Sequence, residues 1–162
     1  MGKYQVVIGR FEHVDVVGKF KNVPAKIDTG AYRSSIHASD IKVVEKNGKK
    51  VLKFSLLGHP VFAKRRTLES RSFNVRKVRS SNGQISVRYE VTFKIRLGYK
   101  IFRTPFTVVD RSSNIFPVLV GRKALNKRFL VDSNIAGMSR VELKLAAASV
   151  PIDEEDLEGV NA

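Results

Sequence analysis

The residues with the clearest chemical potential are Asp28, Thr29 and Gly30, which follow the apolar run Val23–Ile27. An Asp in this position either forms a turn, since Asp and Gly are common turn residues, or acts as a reagent. A carboxylate that works as a general acid–base reagent can pair with a second one close enough to share one proton. The ionised carboxylate then takes a proton from water, while the neutral one polarises a carbonyl group. Gly30 would let backbone N–H groups approach the Asp28 carboxylate and orient it.

A second carboxylate with the same surroundings is missing from the sequence, which contains a single Asp-Thr-Gly. The nearest candidates are Asp132, in an Asp-Ser-Asn sequence without glycine, and Asp110, which is followed directly by Arg111. If Asp28 is catalytic, its partner is therefore Asp28 of a second copy across a twofold axis. This reasoning predicts a homodimer, because a single copy keeps the fold but lacks the pair of acids.

Other kinds of chemistry find little support in the sequence. It has no phosphate-binding loop, no dinucleotide-binding glycine pattern and no His-Glu-x-x-His zinc motif. His13, His37 and His59 lack the paired spacing of zinc ligands, so a zinc site would exist only if the fold gathered them. The absence of cysteine excludes disulfides and thiolate-bound zinc. The prediction is accordingly no metal and no cofactor.

The charge of the chain is high and unevenly distributed. The net charge is +15, yet the segment 151–162 holds five of the fifteen acidic residues and no Lys or Arg. The remainder therefore carries about +20 (30 basic minus 10 acidic residues). Such a field attracts nucleic acid or acidic polypeptides, although scattered basic residues can equally form a solvated surface. The acidic tail 151–162 is expected to be disordered.

No apolar run is long enough to span a membrane, and the N-terminus has no signal-peptide core, so we expect a cytoplasmic protein without a membrane partner.

Most of the chain is predicted to form strands, with hairpin turns at Asn47-Gly48 and Asn82-Gly83. Between Ile85 and Ile95 apolar residues alternate with mainly polar ones, which predicts one buried face. Helical patterns occur only after Gly121 and, weakly, at 141–148. Closely spaced hairpins predict an all-β sandwich or barrel.

Two motifs together resemble the retropepsin type of aspartic protease. The first is Asp-Thr-Gly-Ala at 28–31, and the second, about ninety residues later, is the apolar run of FPVLVGRKALNKRF meeting Gly121 and Arg122. More specifically, AKIDTGAYRSSIHASDI, with RSSNG, VVDR and GRKAL, resembles a bacterial retropepsin-like family associated with RimK-type ligases. That family has also been labelled ATP-dependent zinc protease. The resemblance covers roughly Val6 to Val131.

The resemblance implies an all-β, single-lobe acid-protease barrel at 1–150, with one short helix after the hydrophobic–hydrophobic–glycine motif and an insertion at about 40–66. It implies an aspartic endopeptidase in which Thr29 links two catalytic loops and Ala31, Gly121 and Arg122 support the site. A flap carrying Ser80, Ser81, Asn82 and Gly83 would close on a peptide or protein substrate.

The family association also suggests a partner and a substrate, and one departure from the family pattern leaves an alternative function open. A functional link to a RimK-type ligase suggests an acidic, glutamate-extended substrate, which a cationic cleft would recruit. One departure stands out, because retropepsins usually carry an acid four residues after the catalytic Asp, where this chain has Tyr32. Arg122 then needs another partner. The alternative hypothesis is a catalytically silent module of the same fold that binds acidic polypeptide or nucleic acid through its basic surface.

Overall fold

The computed structural model describes residues 6–137 and Ala148. Its strands are β1 (Val6–Ile8), β2 (Phe11–Val16), β3 (Phe20–Ile27), β4 (Ser34–Lys46), β5 (Lys49–His59), β6 (Phe62–Ser70), β7 (Asn74–Arg79), β8 (Ile85–Leu97), β9 (Lys100–Val109), β10 (Val118–Val120) and β11 (Phe129–Val131), with one helix, α1 (Arg122–Leu125). The weak helical pattern at 141–148 and the acidic tail 151–162 lie outside the described residues, apart from Ala148.

Six strands form a closed barrel. They pair in the order β10, β3, β2, β8, β9 and β4, and β4 pairs back to β10. Most pairings are antiparallel, but β10 runs parallel to β3 and β9 runs parallel to β4. The predicted all-β acid-protease barrel, with a short helix after Gly121, is therefore confirmed.

The barrel interior is apolar and close-packed. Phe93 contacts Phe106 edge-on at 6.0 Å between ring centroids, and Phe54 contacts Phe93 at 6.4 Å. Ala124 and Leu125 of α1 are buried with them, which fixes the helix and the strand β10 before it against the barrel. Edge-to-face packing of aromatic rings adds to the stabilisation that burial alone provides.

Two hairpin regions add strands to the six of the barrel, and β5 of the first packs its Phe54 into the same apolar core. The outer part of β4 continues with β5 and β6 as a three-stranded arm that turns at Asn47 and Gly48, both with positive φ. The arm contains the segment 40–66 that the sequence sets apart as an insertion. The second extension is the hairpin of β7 and β8, whose turn lies at Asn82-Gly83.

The alternation along β8 buries one face only inside the barrel. Val91, Phe93, Ile95 and Leu97 are buried, whereas Ile85 and Val87 are 58% and 46% exposed. The expectation of a single buried face from Ile85 onward is wrong for its first residues. Those residues pair with β7 alone, because β9 joins β8 only from Tyr89 onward. No helix among the described residues has the length and apolarity that a bilayer crossing requires.

Candidate active site

The strand β3 ends directly before Asp28, and β10, which pairs with β3, contacts the start of the loop that follows. The backbone N–H of Asp28 donates to the Val120 carbonyl at 2.9 Å, extending the parallel pairing of β3 and β10. The Gly30 N–H then donates to Asp28 Oδ1 at 2.9 Å. Asp28 is partly buried, whereas Thr29 and Gly30 are exposed. One carboxylate oxygen is thus oriented by the backbone at the protein surface. We refer to residues 28–33 as the Asp28 loop.

Gly121 lies against this loop at a distance that only glycine allows. A Cβ at Gly121 would lie 2.6 Å from the Arg33 carbonyl oxygen and 2.8 Å from that of Tyr32. Its N–H donates to Ser34 Oγ at 3.0 Å. Contacts below 3.0 Å with backbone atoms cannot be relieved by a change of side-chain rotamer, so the close approach fixes the loop relative to β10 and α1.

Arg122 finds its partners within the same chain. Its backbone N–H donates to the Ala31 carbonyl at 2.8 Å, and its guanidinium donates to the Thr29 carbonyl at 3.0 Å. The guanidinium carbon also lies 5.8 Å from the centre of the Tyr32 ring. A carbonyl dipole and an aromatic face both attract a cation. Tyr32 therefore takes part in holding Arg122, where retropepsins use an acid.

The hydrogen bond inside Asp-Thr-Gly is not specific to Asp28. Asp110 accepts the Ser112 N–H at 2.8 Å, and Asp132 accepts the Asn134 N–H at 2.9 Å, in the same turn geometry. The backbone turn alone is therefore the ordinary behaviour of aspartate. What distinguishes Asp28 is its position between β3 and β10 with Gly121 against its loop.

The two alternative acids lie in other surroundings. Asp110 Oδ1 is 3.7 Å from His37 Nδ1, and the Asp132 N–H donates to the Ile8 carbonyl beside β1 and β11. Within residues 6–137, no ion pair or hydrogen bond joins Asp28 to another carboxyl group. One described chain thus supplies a single carboxylate to this loop.

Arg111 is a functional candidate that sequence reasoning did not single out. Its side chain is buried, with Nε donating to the Phe116 carbonyl at 3.0 Å and one terminal nitrogen to Ser35 Oγ at 3.0 Å. Burial lowers the pKa of its guanidinium, and the negative charge of Asp28 acts in the opposite direction. Arg111 therefore places positive charge within electrostatic reach of Asp28. Its only signal in the sequence is its place in VVDR.

The fold brings two of the three histidines together. His37 and His59 meet edge-to-face with ring centroids 5.1 Å apart. His37 Nδ1 accepts the Arg111 N–H at 2.9 Å, while His59 Nε2 donates to the Arg111 carbonyl at 2.8 Å and its Nδ1 accepts the Val61 N–H at 3.0 Å. These bonds occupy three of the four ring nitrogens of this histidine pair. Within the described part of the chain, no group of three metal-ligating residues is present.

The residues predicted for the flap form the turn between β7 and β8. The Gly83 N–H donates to the Ser80 carbonyl at 3.0 Å, and the Ser80 N–H donates to the Gln84 carbonyl at 2.8 Å. Ser80 Oγ also bonds the side-chain oxygen of Asn82. All four residues, including Ser81, are exposed. No hydrogen bond within residues 6–137 joins this turn to the Asp28 loop, and the role of the turn as a flap stays a prediction.

The closed barrel, the Asp-Thr-Gly loop and the glycine packed against it define a single lobe of the retropepsin-like class. A family model described as retropepsin-like aspartic endopeptidase RimB matches residues 7–139, and the chain belongs to this RimB-like family. The family predicted from the sequence motifs is thereby confirmed.

Similar proteins extend this result. A protein from Shewanella halifaxensis named probable alpha-L-glutamate ligase is 34% identical over 113 residues, which are 68% of this chain and 24% of that protein. One of the same name from Desulfotalea psychrophila is 28% identical over 113 residues, with the same coverage of 68% and 24%. The chain thus spans about a quarter of the length of these curated relatives. The crystal structure of a Legionella pneumophila protein of unknown function superposes with a TM-score of 0.66 at 26% identity, covering 82% of this chain and 97% of that one.

Proposed function

We propose that this chain is an aspartic endopeptidase whose Asp28 pairs with Asp28 of a second copy. The observation that carries the proposal is the Asp28 loop itself, in which Gly30 orients one carboxylate oxygen and Gly121 fixes the backbone. Aspartic catalysis needs two carboxylates that share a proton, and the loop supplies one. The membership of the RimB-like family supports the same reaction.

The exposed face of the loop suits a twofold contact. Thr29 and Gly30 are exposed, and the Tyr32 side chain is 50% exposed beside Arg122. In a symmetric dimer each residue near the axis meets its own counterpart. Two Asp28 carboxylates brought together in this way cannot both be ionised, so one holds the shared proton.

The reaction then follows from the pair. The ionised carboxylate removes a proton from water as the water oxygen bonds to the peptide carbonyl carbon, and the neutral carboxyl donates its proton to the carbonyl oxygen. As the C–N bond of the tetrahedral intermediate breaks, the carboxyl that took up the water proton gives it to the leaving nitrogen, and the other carboxylate takes a hydroxyl proton from the intermediate, which restores the shared proton. The buried Arg111 guanidinium would favour the net negative charge of the pair, because the charge of Asp28 raises the Arg111 pKa against the larger lowering by burial.

A dominant-negative experiment tests both parts of this proposal. Asp28→Asn keeps an oxygen for the Gly30 N–H and should fold, yet lack cleavage of a mixed peptide library at mildly acidic pH. Adding it in excess to the wild-type protein should also suppress wild-type cleavage, because mixed dimers hold one carboxylate. Asp132→Asn is the matched control, since Asp132 makes the same turn elsewhere. Cleavage by pure Asp28→Asn protein would refute the assignment of Asp28 as the catalytic carboxylate.

A second candidate function is favoured by the charge. The net charge is +15, and relatives that share this region are named glutamate ligases. A ligase of that name joins glutamate residues, so an acidic polypeptide is the substrate class that fits both observations. If the chain is instead a silent module, Asp28→Asn should leave the binding of poly-glutamate unchanged, with affinity falling as salt is added. Binding that is independent of ionic strength would argue against this alternative.

A further inference from the structure

One row of polar side chains runs across four neighbouring strands beside the Asp28 loop. Ser35 of β4 pairs with Thr107 of β9, Thr107 with Glu90 of β8, and Glu90 with Asn74 of β7. Paired residues in a sheet point to the same face, so these side chains lie side by side. The row connects the start of β4, directly after the Asp28 loop, to the base of the flap hairpin.

Arginine side chains converge on this row. Arg33, the last residue of the Asp28 loop, bonds the nearly buried Glu90 carboxylate at 2.8 Å. Arg76 of β7 reaches Thr107 Oγ1 at 3.4 Å, and Arg88 of β8 lies directly opposite Arg76 in the strand register. On this face Glu90 is the only carboxylate that pairs with any of these three arginines within the described residues.

This arrangement costs stability in the unliganded protein. Like charges directly opposite each other on a sheet are destabilising, and Arg76 and Arg88 are both partly buried. Arg76 Nε is buried without a hydrogen-bond partner, although buried polar groups are nearly always paired. The Arg88 side chain makes no ion pair or hydrogen bond with any described residue. A cationic pair with unused donors is the arrangement that a bound anion would satisfy.

We propose that Arg76 and Arg88 form a binding site for a substrate carboxylate, with Arg33 held beside them by Glu90. The planar guanidinium presents paired donors that match the two oxygens of a carboxylate. The site lies on the flap hairpin, on the sheet face whose Glu90 binds Arg33 of the Asp28 loop, so we expect it to bind an acidic side chain of a peptide held at that loop. It rests on the proposed function for its place in the reaction, but binding can be measured without cleavage.

The first test uses selectivity. Two peptides that differ by one Glu-to-Gln change near the cleaved bond are compared by kcat/KM, in the wild-type protein and in the Arg76→Gln and Arg88→Gln variants. The preference for Glu should fall about tenfold or more in each variant, because a charge-assisted pair is lost. Arg88→Gln is expected to fold, since Arg88 loses no partner and Arg76 loses an opposing charge.

Arg103→Gln is the matched control. Arg103 of β9 lies directly opposite Lys94 of β8, another pair of like charges, but both side chains are exposed on the barrel wall. The Arg103→Gln substitution removes the same charge as the other two variants and should leave the preference for Glu unchanged. An equal loss in the control would show that net charge alone attracts the peptide. An unchanged preference for Glu in both Arg76→Gln and Arg88→Gln would overturn the proposal as well.

A second test separates this proposal from the assignment of Asp28. The two peptides are titrated against Asp28→Asn protein, and binding is followed by fluorescence anisotropy. Tighter binding of the Glu peptide that disappears with Arg76→Gln or Arg88→Gln supports the site even if the wild-type protein cleaves nothing. Equal affinity for the Glu and Gln peptides would refute it, even if cleavage by the wild-type protein is observed.

Discussion

Gly121→Ala is the substitution that most directly tests how the candidate site is held. The new Cβ would lie 2.6 Å from the Arg33 carbonyl oxygen, 2.8 Å from the Arg33 carbonyl carbon and 2.8 Å from the Tyr32 carbonyl oxygen. All three are backbone atoms of the Asp28 loop. Either the loop or the chain around Gly121 must therefore move, and the bonds between them must lengthen.

The magnitude can be worked from these contacts. Overfilling a packed site costs about 1–3 kcal/mol. Movement also strains three hydrogen bonds, from the N–H groups of Gly121, Arg122 and Lys123 to the loop and to Ser34, each worth about 1 kcal/mol net. The free energy of unfolding should therefore fall by about 3 kcal/mol or more. If Asp28 is catalytic, cleavage should fall even under conditions where the variant remains folded.

The measurement is urea unfolding followed by circular dichroism, which suits a chain without tryptophan. Gly18→Ala is the control, because Gly18 has a φ of +79° and nothing within 4 Å of its added Cβ. It should lose about 1 kcal/mol from the left-handed backbone alone. If Gly121→Ala loses no more than Gly18→Ala, the close approach does not hold the loop, and the reasoning fails.

Three further predictions concern charges near the site. Burial lowers the pKa of both His37 and His59, so the unfolded chain takes up protons before the folded one does as the pH falls. The free energy of unfolding should therefore be retained above about pH 6.5 and decline below it. In urea titrations His59→Gln should flatten that decline, and an unchanged slope would contradict the prediction. Arg33→Met should cost about 1–3 kcal/mol by leaving the Glu90 carboxylate, 8% exposed, without its partner, while the double variant with Glu90→Gln should recover part of the loss in urea unfolding. Tyr32→Ala should weaken the hold on Arg122, seen as faster amide exchange in the loop, whereas Tyr32→Phe, which keeps the ring, should not.

The all-β class could be predicted from the sequence because its signals are local, whereas the choice of a barrel over a sandwich came from the resemblance of the two motifs. Asn47-Gly48 and Asn82-Gly83 both form hairpin turns, and the alternation in β8 correctly marks the barrel interior from Val91 onward. The exposure of Ile85 and Val87 could not be predicted in this way. It depends on where β9 stops pairing with β8, which is a tertiary property that alternation does not encode.

The candidate site was predictable only in part, for a similar reason. The Asp28 loop and Gly121 are separated by about ninety residues, and a resemblance to a known pair of motifs was needed to connect them. Arg111 has no local pattern, since its importance comes from burial beside Ser35. The pairing of Arg76 with Arg88 likewise depends on strand register, which fixes which cations face each other.

Arg111 and the facing pair of Arg76 and Arg88 share one physical consequence. Arg111 is buried, and Arg76 faces Arg88, so a single chain without ligand bears unfavourable charge in this region. A second Asp28 and a substrate carboxylate would each bring negative charge to it. If both bind as proposed, each lowers the cost that the other must overcome, and the two events are thermodynamically coupled. Acidic peptide should then promote dimer formation, and by the same linkage the dimer should bind that peptide more tightly than the monomer does.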